Sequence, residues 1–598
     1  MKINSYIDFK KLPLDIYSPG KNMNLRRSAF FLANQLSVEY SQKHSSSFSY
    51  QSCVYFLGQK LTNDLFSKSI FKEILPVCFD IVRFQYYQSK INTKIPIPTY
   101  DLLTFLALKK DPRFIDLNFK APLKFKLSKY ILKLCLNIVN IISLAPLFFL
   151  KSTMRNKIGV EVSEKLSSKN GRSETNWINY FDDCSDIILF LIHYKQDKDD
   201  KEDKEFQITF TKKKGLIFYN DLKRIYSING KFIPIPVVTI LGLTKTPCIS
   251  NQIFSWILTS FFWTIFLKKM KINTWLMIDE STLNSVIIRN VIEKQNGLLV
   301  TRQRSELSSI LGHKYQPGHI GLFWNEQGVQ HFNKFSNEIN LGFVVGHSYI
   351  DSKKIPYFKT EAQKILKEIE NRNIANSDNV FIGLFDNLIG PNADLSTDFV
   401  NNLIGVFCKT IQKNKNIVLI VKSKKKDTLL GNLNPEFTTF LKNSPYVYIV
   451  YGNLLPSIIA LSSDICFGFG INSAAWEANI LGRKTMHIWP FPDKTHGLFN
   501  TDAENYLITT LIQLQNILDD LSKNKIENHS FKKGLINHTN YQIFDKYCDG
   551  QGPARTAIVL ENLRARSGPI DMRKIKLDIE QKLIEFNKTH HKDLIFQN

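Results

Sequence analysis

No two of the chain's eight cysteines, at positions 53, 78, 135, 184, 248, 408, 466 and 548, stand in a C-x-x-C pair. That spacing excludes a zinc ribbon and a thioredoxin-type motif, and sparse, dispersed thiols suit a reducing compartment. Glycine and proline are also modest: 27 and 21 in 598 residues, too few for a collagen-like or low-complexity chain. Residues 1–20 mix Lys, Asp, Tyr and Pro without an apolar core, which is not the pattern of a secretory signal peptide. No unit of 20–50 residues recurs, so a repeat architecture is not expected. Acidic residues run short: 54 Asp+Glu stand against 78 Lys+Arg, a formal charge of +24. Such a field draws polyanions, whether nucleic acid, anionic headgroups or phosphorylated small molecules. The basic residues are not gathered into one arm, and no RNA-recognition or zinc-finger motif stands out, so nucleic acid is not the expected partner.

What is present is ample apolar material, 43% of the residues, over a length that suggests about three to five domain-sized units. Two stretches are apolar enough to raise the membrane question. Residues 131–150, ILKLCLNIVNIISLAPLFFL, are long enough to span, but Lys133, Asn137, Asn140 and Pro146 interrupt them. An interfacial or protein-buried helix fits better. Residues 252–271, QIFSWILTSFFWTIFLKKMK, carry Trp256, Phe261, Phe262, Trp263 and Phe266 ahead of Lys268, Lys269 and Lys271. They read either as an interfacial helix on anionic lipid or as a core helix with a basic last turn. The two stretches together lead us to expect peripheral contact with the inner face of a cytoplasmic membrane.

Residues 1–155 read as a mainly helical, irregular region. From 156 strand and helix signals alternate: KIGVEV at 157–162, DIILFLIHY at 186–194, a β-rich run at 232–243, WLMI at 275–278, GLLVT at 297–301 and LGFVV at 341–345. The charged tract 195–205 reads as a solvated loop. Its aspartates lie among lysines and lack the apolar flanks of a metal-binding D-x-D. Residues 351–374 read as a helical connector. Beyond it the alternation is clearer, with strands at 379–384, 416–421, 446–451, 465–469 and 485–489 and helices at 395–413, 455–463 and 473–481. The spacing predicts an α/β layer structure: one unit over 156–350, a doubly wound unit over 375–570, and a helical tail over 571–598.

The segment LSSDICFGFGINSAAWEANILGRKTMHIW, 461–489, carries the most chemistry. A strand ends at Phe469-Gly470 and a helix opens at Asn472-Ser473. Open N–H groups and the positive dipole end at such a helix start suit a phosphate. Gly468 and Gly470 permit close backbone approach. Glu477, four residues after Ser473, shares its helix face and suits ribose hydroxyls. Glycines that serve packing beneath a simply capped helix are the other reading. In the first unit, Asp279 and Glu280 follow a strand and suit a general base, or alternatively Asp279 caps the next helix. His347 in VVGHSYID is a rival base, or alternatively a loop hydrogen-bonding residue. Arg302 and Arg304 in TRQRS either bind an anionic acceptor or lock a loop, and Glu161 and Arg172 are further candidates.

The order strand, SSD, strand, G-x-N-S-x-x-x-E-A, L-G-R-K, strand resembles the nucleotide-sugar half of GT-B glycosyltransferases. It is most similar to the bacterial surface and capsular polysaccharide branch. The resemblance implies two facing Rossmann-like domains over about 158–565. It implies that Ser473 holds the donor diphosphate with Gly470 and Asn472 beside it, and that Glu477 holds the ribose. Lys422 and Lys424 in VKSKKK resemble the family's basic residues facing the donor phosphates. Asp545, Gly550 and Arg555 resemble a D…DG…R closing segment. KIGVEV with GRSETNW, MIDES, VTRQRS and LFWNEQG resemble the acceptor half. The chain departs from relatives that carry His where Lys422 to Lys426 stand. The implied activity is sugar transfer from a nucleotide-sugar donor to a glycan or lipid-linked acceptor, without a metal or other cofactor. A CDP-activated polyol-phosphate transferase of the same fold and a non-catalytic assembly module remain open beside it.

Overall fold

The computed structural model describes residues 157–162, 175–191, 201–219, 247–277, 283–303, 318–335, 341–372, 379–387, 389, 395–423, 429–451, 454–490, 506–523, 541–566 and 569–590, with scattered residues before 121. The stretches 131–150 and 232–243, together with Arg172, Asp279, Glu280, Arg304 and Lys424, lie outside the described residues.

Two parallel sheets organise the chain. The first contains β1 (Lys157–Val162), β2 (Ile187–Leu191), β3 (Leu216–Tyr219), β4 (Ile272–Met277), β5 (Leu298–Arg302), β6 (Ile320–Phe323) and β7 (Leu341–Val344). Their spatial order is β7-β6-β5-β4-β1-β2-β3. The second contains β8 (Val380–Phe385), β9 (Ile417–Ser423), β10 (Val447–Tyr451), β11 (Ile465–Phe469), β12 (Lys484–Ile488) and β13 (Leu507–Ile508), in the order β10-β9-β8-β11-β12-β13. Each sheet starts at its centre, winds outward one way, returns and winds the other way. That is the doubly wound Rossmann pattern twice over. The α/β class with two Rossmann-like sheets is therefore the fold.

The sequence dictates this directly. Strands such as IVLIVKS in β9 are buried along their whole length, as parallel strands covered on both faces must be. Helices supply the cover. In the second unit these are α6 (Thr397–Lys413), α7 (Pro435–Asn443), α8 (Pro456–Leu461), α9 (Ser473–Ile480) and α10 (Leu511–Ser522). Ser396 caps α6 by accepting from the Phe399 amide at 3.2 Å. The connector forms as expected: α5 (Ile355–Glu370) packs its apolar side, Phe358, Ala362, Ile365 and Ile369, into the core of the second unit.

In the first unit α1 (Lys201–Lys212) corrects one expectation: the charged tract does not stay a loop but opens a helix at Lys201. Helix α2 (Pro247–Met270) takes the core-helix reading of its stretch. Trp256, Trp263 and Phe266 are buried in the protein core with α3 (Leu283–Glu293). The Trp263 ring lies 4.8 Å from Trp275 and 5.3 Å from Phe190. Among the described residues no helix is long and apolar enough to cross a membrane. Strand β6, followed by α4 (Glu326–Phe335), and strand β3 were not evident in the sequence pattern.

The last two helices, α11 (Gly552–Ala565) and α12 (Met572–His590), close the architecture. The expected boundary at 570 assigns α11 to the second unit, but Val559, Leu560 and Leu563 pack on the first sheet, with Ile575, Ile579 and Leu583 of α12 beside them. The chain reaches that place through a strap, 541–550. Phe544 O accepts from the indole of Trp476 on α9 at 2.8 Å, and Lys546 N donates to Trp324 O, just past β6, at 2.9 Å. The strap thus ties the C-terminal edge of the first sheet to α9.

Candidate active site

Ligands of doubly wound sheets bind beyond the carboxyl ends of the strands where the winding reverses. In the second sheet that point lies between β8 and β11. The register sets Phe385, Lys422 and Gly468 at one level on β8, β9 and β11. Residues directly paired across strands point to the same face. Gly468 lies on the face covered by α9: a Cβ there would stand 2.6 Å from the Ala475 Cβ. Lys422 therefore projects on that face too.

The turn from β11 into α9 follows from its residues. Gly470 takes φ +68°, which an L side chain resists, and its amide donates to Ile488 O at 3.0 Å. Asn472 caps α9: its Oδ1 accepts from the Ala475 amide at 2.9 Å, and its Nδ2 donates to Phe469 O at 3.2 Å. Both ends of the Asn472 amide serve the turn. Ser473 is half-buried at the first helical position. The helix stops at Gly482, φ +74°, whose amide donates to Asn479 O. Glu477 is buried between α9 and α8, where the Ser457 hydroxyl donates to its Oε2 at 3.2 Å.

Beside this turn, β8 and β9 end in a polar cluster. The Ser423 hydroxyl donates to Asp386 Oδ2 at 2.7 Å, and the buried Lys422 Nζ donates to Ser423 O at 3.1 Å. Burial lowers the Lys422 ammonium from its usual value, and the Asp386 charge pulls it part of the way back. Sequence reasoning missed Asp386. The signal was the strand VFIGLF running straight into Asp386-Asn387 at the switch point.

Other candidates fall elsewhere. Arg555 is fully buried and does not face this crevice. Its Nη1 donates to Asp549 Oδ1 at 2.9 Å, its Nε donates to Asn587 Oδ1 at 2.7 Å, and its guanidinium stacks 3.6 Å from the Tyr547 ring centroid. This corrects the reading of Arg555 as a phosphate ligand: its donors hold the strap to α11 and α12. His347 is buried against Trp324, ring centroids 4.1 Å apart. Its Nδ1 accepts from the amides of Ile350 at 3.2 Å and Tyr349 at 3.4 Å. These contacts engage its Nδ1 within the loop, which favours the loop hydrogen-bonding reading of His347 over that of a general base. Glu161 stands buried at the end of β1, at the switch point of the first sheet. Among the described residues no three His, Cys, Asp or Glu side chains gather as a metal site.

No protein-family model matches the chain, and no curated protein matches it. Solved structures do. The chain is similar to the UDP-N-acetylglucosamine 2-epimerase from Neisseria meningitidis bound to UDP-GlcNAc, at 10% identity and TM-score 0.41, over 67% of this chain and 97% of that one. It is similar to HepE from Anabaena in complex with UDP and glucose, at 12% identity and TM-score 0.37, over 72% and 100%. It is also similar to the wall teichoic acid polymerase TagF, at 11% identity and TM-score 0.35, over 77% and 100%. The fold rests on the two doubly wound sheets themselves.

Proposed function

We propose that the chain is a glycosyltransferase that takes a sugar from a nucleoside-diphosphate donor and adds it to a growing surface polysaccharide. The observation that carries this reading is the coincidence of three features at one switch point. The capped N-terminus of α9 opens there, the half-buried Ser473 stands at its first position, and the Lys422 cation lies on the same face of the sheet. Breaking a sugar–diphosphate bond builds negative charge on the leaving group. Fixed N–H dipoles and a buried ammonium placed beforehand stabilise that charge more than water does. The Asp386 charge offsets part of the cost that burial imposes on the Lys422 ammonium. Glu477, one turn on from Ser473, is the acceptor for the donor's ribose hydroxyls, and its Oε2 now accepts from the Ser457 hydroxyl. The acceptor binds at the C-terminal edge of the first sheet, which the strap joins to α9.

The test is a thermal-shift panel of UDP, GDP, CDP, CMP and dTDP with their sugar conjugates. A ligand that binds only the folded chain raises the midpoint with concentration. One nucleotide is expected to raise it, with the shift reduced in Ser473→Ala and lost in Glu477→Ala. A shift with CDP-polyols alone redirects the reading to polyol-phosphate transfer. No shift with any nucleotide, in folded protein, contradicts the proposal.

A further inference from the structure

The C-terminal edge of the first sheet holds a buried cation for which the described residues supply no anion. Arg302 ends β5 and is 1% exposed, and none of its Nε, Nη1 and Nη2 atoms has a hydrogen-bond partner. Its guanidinium carbon lies 5.2 Å from the centroid of the Tyr349 ring. Two more buried donors share this condition, the Trp324 indole Nε1 and the Ser348 hydroxyl. Leu322 pairs with Arg302 in the sheet, and Trp324 directly follows β6. Ser348 adjoins Tyr349, and the His347 ring lies between the rings of Trp324 and Tyr349, at 4.1 and 5.8 Å.

The neighbouring buried carboxylates are engaged elsewhere. Asp545 accepts from the amides of His347, Tyr547 and Cys548. Asp549 holds Arg555, and Asp351 accepts from the Tyr180 hydroxyl and the Lys353 amide. Glu161 is on the wrong face. The register sets Val160, Leu276 and Val300 side by side. Arg302 shares their face, and Glu161, one residue from Val160, points to the other.

A buried guanidinium without a counter-charge is strongly unfavourable, and natural structures pair it. These buried donors have no acceptor among the described residues, and Arg302 stands at a strand end, where parallel sheets bind their ligands. We propose that Arg302, with Trp324 Nε1 and Ser348 Oγ, forms an anion subsite in the first unit that takes a phosphate or carboxylate group of the acceptor. The planar fork of the guanidinium suits either group by paired hydrogen bonds. The identification of the anion with the acceptor rests on the transferase reading above.

The full chain and its Arg302→Met variant are titrated with inorganic phosphate and with glucuronate at constant ionic strength, following the thermal midpoint. One of the two anions is expected to raise the wild-type midpoint saturably, and Arg302→Met to abolish that rise. Phosphate alone points to a phosphorylated acceptor, and glucuronate alone to an acidic sugar. General stabilisation by an excluded salt raises both proteins equally, and that result overturns the subsite. Without any anion, Arg302→Met removes an unpaired buried charge, so its midpoint lies at or above that of the wild type. A fall instead marks Arg302 as a packing element and counts against the subsite. Should Arg302→Met not fold, Arg302→Lys keeps the charge without the fork and is expected to weaken anion binding at least about tenfold. A wild-type chain that answers to neither anion overturns the proposal whatever the variants do. The nucleotide panel separates the two readings. An anion shift without any nucleotide shift keeps the subsite and overturns the transferase. A nucleotide shift without an anion shift overturns the subsite alone.

Discussion

At the scale of single residues, burial decides which polar groups serve the fold and which are left for a ligand. Arg555 and Arg302 are both fully enclosed, yet one is clamped by Asp549 and Asn587 and the other has no hydrogen-bond partner. Sequence alone cannot separate them, because the deciding groups are remote in the chain: Asn587 lies on a helix 32 residues away. His487 shows the same principle in its titration. It lies on β12, paired with β11, in contact with Asn479 and stacked on Phe544. Burial pushes its imidazole from 6.5 down to about 4, with a backbone hydrogen bond at Gly470 offsetting part of the shift. Between those two pH values the unfolded chain binds a proton that the folded chain refuses. Stability therefore falls as pH drops from 6.5 towards 4, by on the order of 3 kcal/mol from this group, and is flat above 6.5. Denaturant unfolding across that range is expected to show the loss, and His487→Gln to reduce its slope.

At the scale of elements, the second unit was legible almost strand for strand. Its apolar runs are continuous, α6, α9 and α10 carry side-chain caps, and α9 ends at Gly482. The expected helix start at Asn472-Ser473 and the strand end at Phe469 are both present. The first unit was less legible for a physical reason. A four-residue strand such as IGLF is too short to separate from an apolar loop by its period, and the aromatic face of α2 has the same composition whether it meets lipid or Trp275. The cap of α9 yields a prediction of its own. Asn472→Ala removes the bond to the Ala475 amide and costs about 1 kcal/mol of stability. It also frays the turn that presents the helix end, so nucleotide affinity falls with it. Ser473→Ala removes a half-buried hydroxyl and is expected to lower affinity with little change in the unfolding midpoint. Equal effects of the two substitutions on both readouts contradict this division of roles.

At the scale of the whole molecule, the strap and the last two helices make the two sheets interdependent. The crossing is tightest at Gly552, where a Cβ would stand 2.2 Å from the backbone oxygen of His347. Backbone cannot yield as a flexible side chain does, so Gly552→Ala is expected to displace α11 from the first sheet. Calorimetry is expected to show a lowered midpoint, and a midpoint unchanged from wild type contradicts the close crossing. This return of the chain was not legible in the sequence. Residues 552–565 carry apolar positions that fit either unit, and only the contacts of Val559, Leu560 and Leu563 choose between them. The candidate donor site was legible in Ser473, Gly470, Asn472 and Lys422, and Arg302 was already a candidate from TRQRS, while Asp386 and the unpaired state of Arg302 emerged only from the assembled strand ends. The most direct test of the central claim is a crystal structure of the chain with the nucleoside diphosphate that gives the largest thermal shift. The account predicts the diphosphate at the N-terminus of α9, within hydrogen-bond reach of Ser473 and beside Lys422. A nucleotide bound at the strand ends of the first sheet instead would contradict it.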